Sequence, residues 1–151
     1  MYAVIRIRGS VRTRKEINDT LEMLRLKKNN HCVIVPKNPS YEGMLKKVKD
    51  YVTFGEIRED VLAELLQKRG EVYGGRLTKE KLKELAKFES FEDFAEALIK
   101  GEVKLKDYKK IKQVFRLNPP RKGFKAKKLP YPKGDLGYRG ESINELLKRM
   151  M

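Results

Sequence analysis

Thirteen lysines and arginines stand between Val103 and Arg139 against two acids, Asp107 and Asp135, a net charge of +11 in a stretch with almost no hydrophobic period. Cations that a chain cannot bury are neutralised from outside, and nucleic acid is the polyanion most available to do it. Within this stretch Arg116, Pro119, Arg121, Lys122, Lys125, Lys127 and Lys128 mix with Phe124, and Tyr131 and Tyr138 lead to Arg139. Arginine forks onto phosphate oxygens, aromatic rings stack on unpaired bases, and Pro and Gly let a backbone lie close to folded RNA. A solvated tail could share that composition. Here a terminal helix signal follows, so both ends are held, and the stretch reads as a loop that orders on RNA.

A second basic cluster lies near the start. Arg8, Gly9, Ser10, Arg12, Arg14 and Lys15 fall where a strand gives way to a helix, and the free amides of a helix N-terminus suit a backbone phosphate. Neither G-x-G-x-x-G nor G-x-x-x-x-G-K-[ST] can be written there, so this is no nucleotide loop. Lys46, Lys47 and Lys49 also cluster, although a lysine-rich helix face is ordinarily just solvated.

Catalytic constellations are missing from the sequence. His31 is the one histidine and Cys32 the one cysteine. Adjacent strand residues point to opposite faces, so these two diverge and form no dyad. One His and one Cys also fall short of a zinc site. The pairs Glu59-Asp60 and Glu92-Asp93 sit at helix starts, where carboxylates complement the helix dipole. These absences point away from an enzyme, a metal centre, a cofactor and a small-molecule substrate. A lone cysteine in the apolar run Cys32–Val35 cannot form a disulfide within one chain and reads as a buried thiol.

The elements that must position the cations have clear signals. Tyr2 to Arg8 reads as a strand ending at Gly9. Thr13-Arg14-Lys15-Glu16 has the form of a capping box, with Ile17, Leu21 and Leu24 as the buried helix face. Cys32–Val35 is a short strand closed by Pro36, Pro39-Ser40 opens a helix bearing Met44, Leu45 and Val48, and Tyr51–Phe54 is a third strand closed by Gly55. The first 55 residues therefore read as a β-α-β-α-β core. Residues 56–102 form a helical extension: a helix from Asp60 to Gly70, a turn at Gly74-Gly75, a helix capped by Thr78, and another from Ser90 to Gly101. Residues 103–151 are a basic extended segment followed by a helix carrying Leu146, Leu147 and Met150, with Ser142-Ile143-Asn144-Glu145 as its expected capping box.

The net charge of +15 is unevenly distributed: +7 over 1–55, −3 over 56–102, +11 over 103–139 and 0 beyond. Both basic regions suit a polyanion, and the acidic middle suits water or a protein neighbour. No stretch approaches a membrane span or a signal peptide, which points to the cytoplasm.

Three motifs carry a resemblance to a known family. They are Val4-Ile5-Arg6-Ile7-Arg8-Gly9; Pro39-Ser40-Tyr41-Glu42-Gly43-Met44-Leu45-Lys46-Lys47-Val48-Lys49-Asp50-Tyr51-Val52 with Gly55-Glu56; and Arg116-Leu117-Asn118-Pro119-Pro120-Arg121-Lys122-Gly123. Together they resemble the large-subunit ribosomal protein L-thirty family in its archaeal form, whose eukaryotic counterpart is called L-seven. Asn118 stands where the family often has His. The resemblance implies an α+β fold: a β-α-β-α-β core with a three-stranded antiparallel sheet, a relative of ferredoxin-like folds, plus the helical insert and the basic C-terminal segment. It implies a structural constituent of the large ribosomal subunit, not an enzyme, that binds and stabilises large-subunit ribosomal RNA and supports assembly. The subunit's small ribosomal RNA and neighbouring ribosomal proteins are further expected partners. Carried over position by position, RNA contact is expected at Arg6, Arg8, Ser10, Arg12, Thr13, Arg14, Lys37, Lys46, Lys47, Arg116, Pro119, Arg121, Lys122, Lys125, Lys127, Lys128, Tyr138 and Arg139. The alternative is an RNA-binding or RNA-chaperone module outside the ribosome.

Overall fold

The computed structural model describes residues 1–9 and 11–151, and its fold is α+β. The first strand, β1 (Tyr2–Arg6), is buried along its whole length because helices cover both faces of the sheet around it. Tyr2 and Val4 face one core while Ala3 and Ile5 face the other, as strand alternation requires. β1 leads to α1 (Lys15–Met23), β2 (His31–Val35), α2 (Pro39–Val48) and β3 (Val52–Glu56). β2 and β3 flank β1, each antiparallel to it, with Val4 opposite Val33 on one side and Phe54 on the other. This is the expected three-stranded antiparallel core. Helices α1 and α2 close one face over Leu21, Leu24, Leu45 and Val48.

The other face is covered from further along the chain. α3 (Glu59–Arg69) is followed by a small hairpin of β4 (Glu71–Val72) and β5 (Gly75–Arg76), then α4 (Lys79–Ala86) and α5 (Phe91–Lys100). Leu62, Leu65 and Leu66 of α3 and Phe94 and Leu98 of α5 build the larger core against Ala3, Ile5 and Cys32. Thr78 and Ser90 cap their helices as read, accepting from the Lys81 and Asp93 amides at 3.3 and 3.2 Å, and Asn38, not singled out in the sequence, caps α2 by accepting from the Tyr41 amide at 2.9 Å. Gly101 ends α5 in the left-handed conformation.

Two capping boxes do not form. The Thr13 hydroxyl donates to the Gly9 carbonyl at 3.4 Å, stabilising the turn before α1 instead of its first amides. The Ser142 hydroxyl donates to the Arg139 carbonyl at 2.7 Å, because a 3-10 turn over Gly140–Ser142 already runs into the last helix. A competing carbonyl lay within reach of each hydroxyl, which sequence spacing does not reveal.

The C-terminal segment returns to the sheet at both edges. β6 (Val114–Arg116) runs antiparallel to β2, and β7 (Gly137–Tyr138) runs parallel to β3, which makes the strand order β6-β2-β1-β3-β7. The last helix, α6 (Ile143–Met150), then lies on β3 and α3. Buried Asn144 fixes it: its amide donates to the Glu56 and Glu141 carbonyls at 3.1 and 2.9 Å, and its oxygen accepts from the Arg58 amide at 2.8 Å. Close approach is possible because position 55 is glycine. A Cβ there would sit 1.9 Å from the Gly140 carbonyl oxygen. Gly55→Ala is therefore expected to push α6 off β3 and to cost about 1–3 kcal/mol, read as a lower urea midpoint in equilibrium unfolding.

Candidate nucleic-acid interface

One end of the sheet, where β1 finishes and β2 begins, gathers cations from three parts of the chain. Beyond Arg6 the chain turns: the Ile7 and Arg8 amides donate to the Tyr51 carbonyl at 2.9 and 3.1 Å, and the Arg8 guanidinium lies 5.1 Å from the Tyr51 ring centre. Arg8 also donates to the Asp50 carbonyl at 3.3 Å. The basic turn is thereby tied to the end of α2, whose last turn carries exposed Lys46 and Lys47. Exposed Arg12, with φ of 58°, and exposed Arg14 continue from Arg8 into α1, whose first turn has no side-chain cap. The expectation for Ser10 lies outside the described residues.

The third contribution comes from the C-terminal segment. The Leu117 amide donates to the Asn30 carbonyl at 3.0 Å, while the Asn30 amide donates to the Arg6 carbonyl at 2.8 Å, so Asn118 and Pro119 emerge beside the end of β1. The Asn118 and Arg121 amides donate to the Met150 and Arg149 carbonyls, both at 3.0 Å, and so satisfy the open carbonyls at the end of α6. This holds the Asn118–Gly123 turn in place and leaves the side chains of Arg121 and Lys122 exposed. Among the described residues, Arg12, Arg14, Lys46, Lys47, Arg121, Lys122, Lys127 and Lys128 make no ion pair within the chain. Such cations are available to an external polyanion.

Between Phe124 and Leu136 the chain has no helix or longer strand, as its prolines and glycines require, yet it is internally bonded. Buried Asp135 accepts from the Ala126 amide at 2.8 Å and pairs with Arg139 at 3.0 Å. The Asp135 and Leu136 amides donate to the Ala126 and Leu129 carbonyls at 3.0 and 3.2 Å, and Leu136 is buried. Lys125 donates to the Pro132 carbonyl, and the Lys127 ammonium stands 5.4 Å from the Phe124 ring centre. These attachments hold the loop to the rest of the chain, beside whatever order RNA adds. The buried carboxylate was in the sequence, but its partner four residues on could not be assigned without the fold.

Several expected contact residues are engaged elsewhere. Arg6 is 3% exposed and donates to the Arg8 and Leu26 carbonyls at 2.9 and 2.7 Å, so it stiffens the end of β1 from inside. Arg139 has a side chain 8% exposed, held by Asp135 and stacked 5.1 Å from the Tyr131 ring centre. The side chains of both lie largely inside the fold. Arg116 is exposed but forks onto Glu71 at 3.0 Å. Lys37 lies at the opposite end of the sheet, paired with Glu56 at 3.3 Å and 5.5 Å above the Tyr2 ring. Tyr138 is there too, donating to Glu56 at 2.7 Å and packing on Phe54, and that bond pushes its phenol up to about 12. Burial opposes ionisation of Glu56, but Tyr138 and Lys37 outweigh it and hold the carboxyl below its ordinary value. His31 and Cys32 diverge as expected: burial raises the thiol strongly, and burial followed by Arg116 and Lys28 lowers the imidazole.

Residues 2–52 match the family described as Ribosomal protein L30p/L7e. Similarity extends much further than that segment. Proteins named "Large ribosomal subunit protein uL30" are 53% identical in Archaeoglobus fulgidus, 50% in Methanocorpusculum labreanum and 54% in Methanococcus maripaludis, in each case over 99% of both chains. The chain belongs to this family. Membership covers the helical insert and the basic segment as well as the β-α-β-α-β core, and the family is one of structural, non-enzymatic proteins.

Removing one half of the buried Asp135–Arg139 pair leaves an uncompensated charge, a change that costs about 3–5 kcal/mol at such sites. Asp135→Asn is expected to loosen residues 124–136 while the sheet core stays folded. Limited trypsin digestion checks this: cleavage after Lys125, Lys127 and Lys128 should be much faster than in the parent protein.

Proposed function

We propose that this protein is a structural constituent of the large ribosomal subunit, working in the cytoplasm by binding and stabilising large-subunit ribosomal RNA and supporting assembly. The observation that carries the reading is the gathering of unpaired cations from three separated segments at one end of the sheet. Full-length identity to archaeal large-subunit proteins supports it. Arg8, Arg12, Arg14, Lys46, Lys47, Arg121 and Lys122 form the principal phosphate-facing group, with Lys125, Lys127 and Lys128 on the adjoining loop. Thr13 and Pro119 shape the turns that present them. The role is non-enzymatic: the chain offers charge and shape, and no nucleophile or acid-base pair is required.

The mechanism is counterion release on a fixed scaffold. Each cation that neutralises a phosphate frees a condensed ion, so affinity falls as a power of salt concentration. Cations brought to one end from distant segments can reach several RNA strands at once, which couples binding to RNA tertiary structure. The acidic first turn of α5, with Glu92 and Asp93, suits water or a basic ribosomal neighbour.

Binding of the full chain to deproteinised large-subunit RNA across a salt series tests this. Affinity should fall steeply with salt, and replacing Arg121, Lys122, Lys125, Lys127 and Lys128 by Ala should flatten the slope by roughly 0.7–0.9 for each phosphate no longer neutralised. A salt-independent affinity, or full affinity in the variant, would refute the proposal. Sedimentation with salt-washed large subunits separates it from an RNA chaperone outside the ribosome, which would not co-sediment.

A further inference from the structure

The β2–β6 edge carries a cleft of about 440 Å³ to which, of the expected contact residues, only Arg116 contributes. Arg25, Lys27, Lys112 and Arg116 line it against one carboxylate, Glu71. Glu71 already holds two of these cations, Arg116 at 3.0 Å and Lys112 at 3.5 Å, while Lys27 is exposed and Arg25 donates only to the neutral amide of Gln113. The local excess of positive charge is therefore real after internal pairing. His31 adds no cation at neutral pH, since burial and the surrounding Arg116 and Lys28 keep its imidazole neutral. At the rim stands Tyr73, on the tip of the β4–β5 hairpin and 73% exposed, with the Lys112 ammonium 5.6 Å from its ring centre.

A concave group of cations beside an exposed aromatic ring matches what single-stranded nucleic acid requires: charge along the backbone and a flat face for a base. Among the described residues Val114 is the one aliphatic residue lining this cleft, and the rest of its wall is built largely from the stems of arginines and lysines whose charged heads stand at the mouth. The cleft also adjoins the basic end of the sheet, because the loop bearing Lys27 and Lys28 is fastened to the end of β1 through Asn30. We propose that this cleft is a second RNA contact, in which a backbone phosphate sits among Arg25, Lys27, Lys112 and Arg116 while an unpaired base rests on Tyr73. The inference builds on the ribosomal RNA-binding reading above. Glu71 acts as an internal competitor: it holds Arg116 and Lys112 until a phosphate takes its place, and its charge weakens the bound state.

The test is binding of the full chain to deproteinised large-subunit RNA across a salt series, with folding of each variant checked by circular dichroism. Replacing Arg25, Lys27 and Lys112 together by Ala should lower affinity about tenfold or more at low salt and reduce the salt slope by roughly 0.7–0.9, the share of the one phosphate held there. Tyr73→Ala should weaken binding about tenfold with the slope unchanged, because stacking releases no counterion. Glu71→Gln should strengthen binding. As a control for net charge, replacing Lys79, Lys83 and Lys100 by Ala should change little. If the parent protein binds with a steep salt dependence while the triple variant and Tyr73→Ala bind equally well, the cleft is no contact and the wider reading survives. An equal loss in the control variant overturns the cleft as well. Failure of the parent protein to bind overturns both.

Discussion

Charge repulsion within the basic segment opposes any compact path for it, so the chain must supply attachments strong enough to hold that segment against itself. It does so with a few buried polar contacts. Asp135 is one of two acids in the +11 stretch, and it is placed where it does most: buried, bonded to the Ala126 amide and paired with Arg139. A charge pair out of water is stabilising only when its geometry is good and its other bonds are satisfied, and here the backbone amide supplies the additional bond. Asn144 acts similarly at the next turn, joining α6 to the end of β3 and the start of α3. Between them, these residues convert a sequence that would repel itself into a loop with fixed ends.

From this constraint follows the division of the surface. β6 and β7 consume the two open edges of the three-stranded core, so the C-terminal segment crosses from one side of the sheet to the other and passes the end of β1 on its way. Three groups of cations meet there because the topology leaves them nowhere else to go. Acids are used against this charge sparingly, at Glu71, Glu56 and Asp135, each holding particular cations in place. Eight of the remaining carboxylates lie on α3, α4 and α5.

Much of this was legible in the residues. Period and turn signals located α2, α4 and α5, and the antiparallel pairing of the core was implied by the family resemblance, since the order of the strands alone does not set their direction. The basic turn and basic segment were plain from charge alone. What the sequence could not show was partnership. Arg6 and Arg139 look identical in sequence to Arg12 and Arg121, yet the first two are buried by contacts with Leu26 and Asp135 that depend on the completed sheet. β6 and β7 are three and two residues long, too short to carry a period, and only the free edges of β2 and β3 make them strands. Thr13 and Ser142 had the right spacing for capping boxes but found nearer carbonyls. Lys27 gained a neighbourhood only when β6 and the residues before it brought Arg116 and Lys112 alongside.

That the basic segment is built before RNA arrives is the claim on which the rest turns, and hydrogen exchange in the free protein reads it directly. The amides of Asp135, Leu136 and Arg139 donate to Ala126, Leu129 and Phe54. Their exchange should be slowed by orders of magnitude relative to unstructured peptide, approaching the protection of β3. Exchange at unstructured-peptide rates, with β3 still protected, would contradict the account.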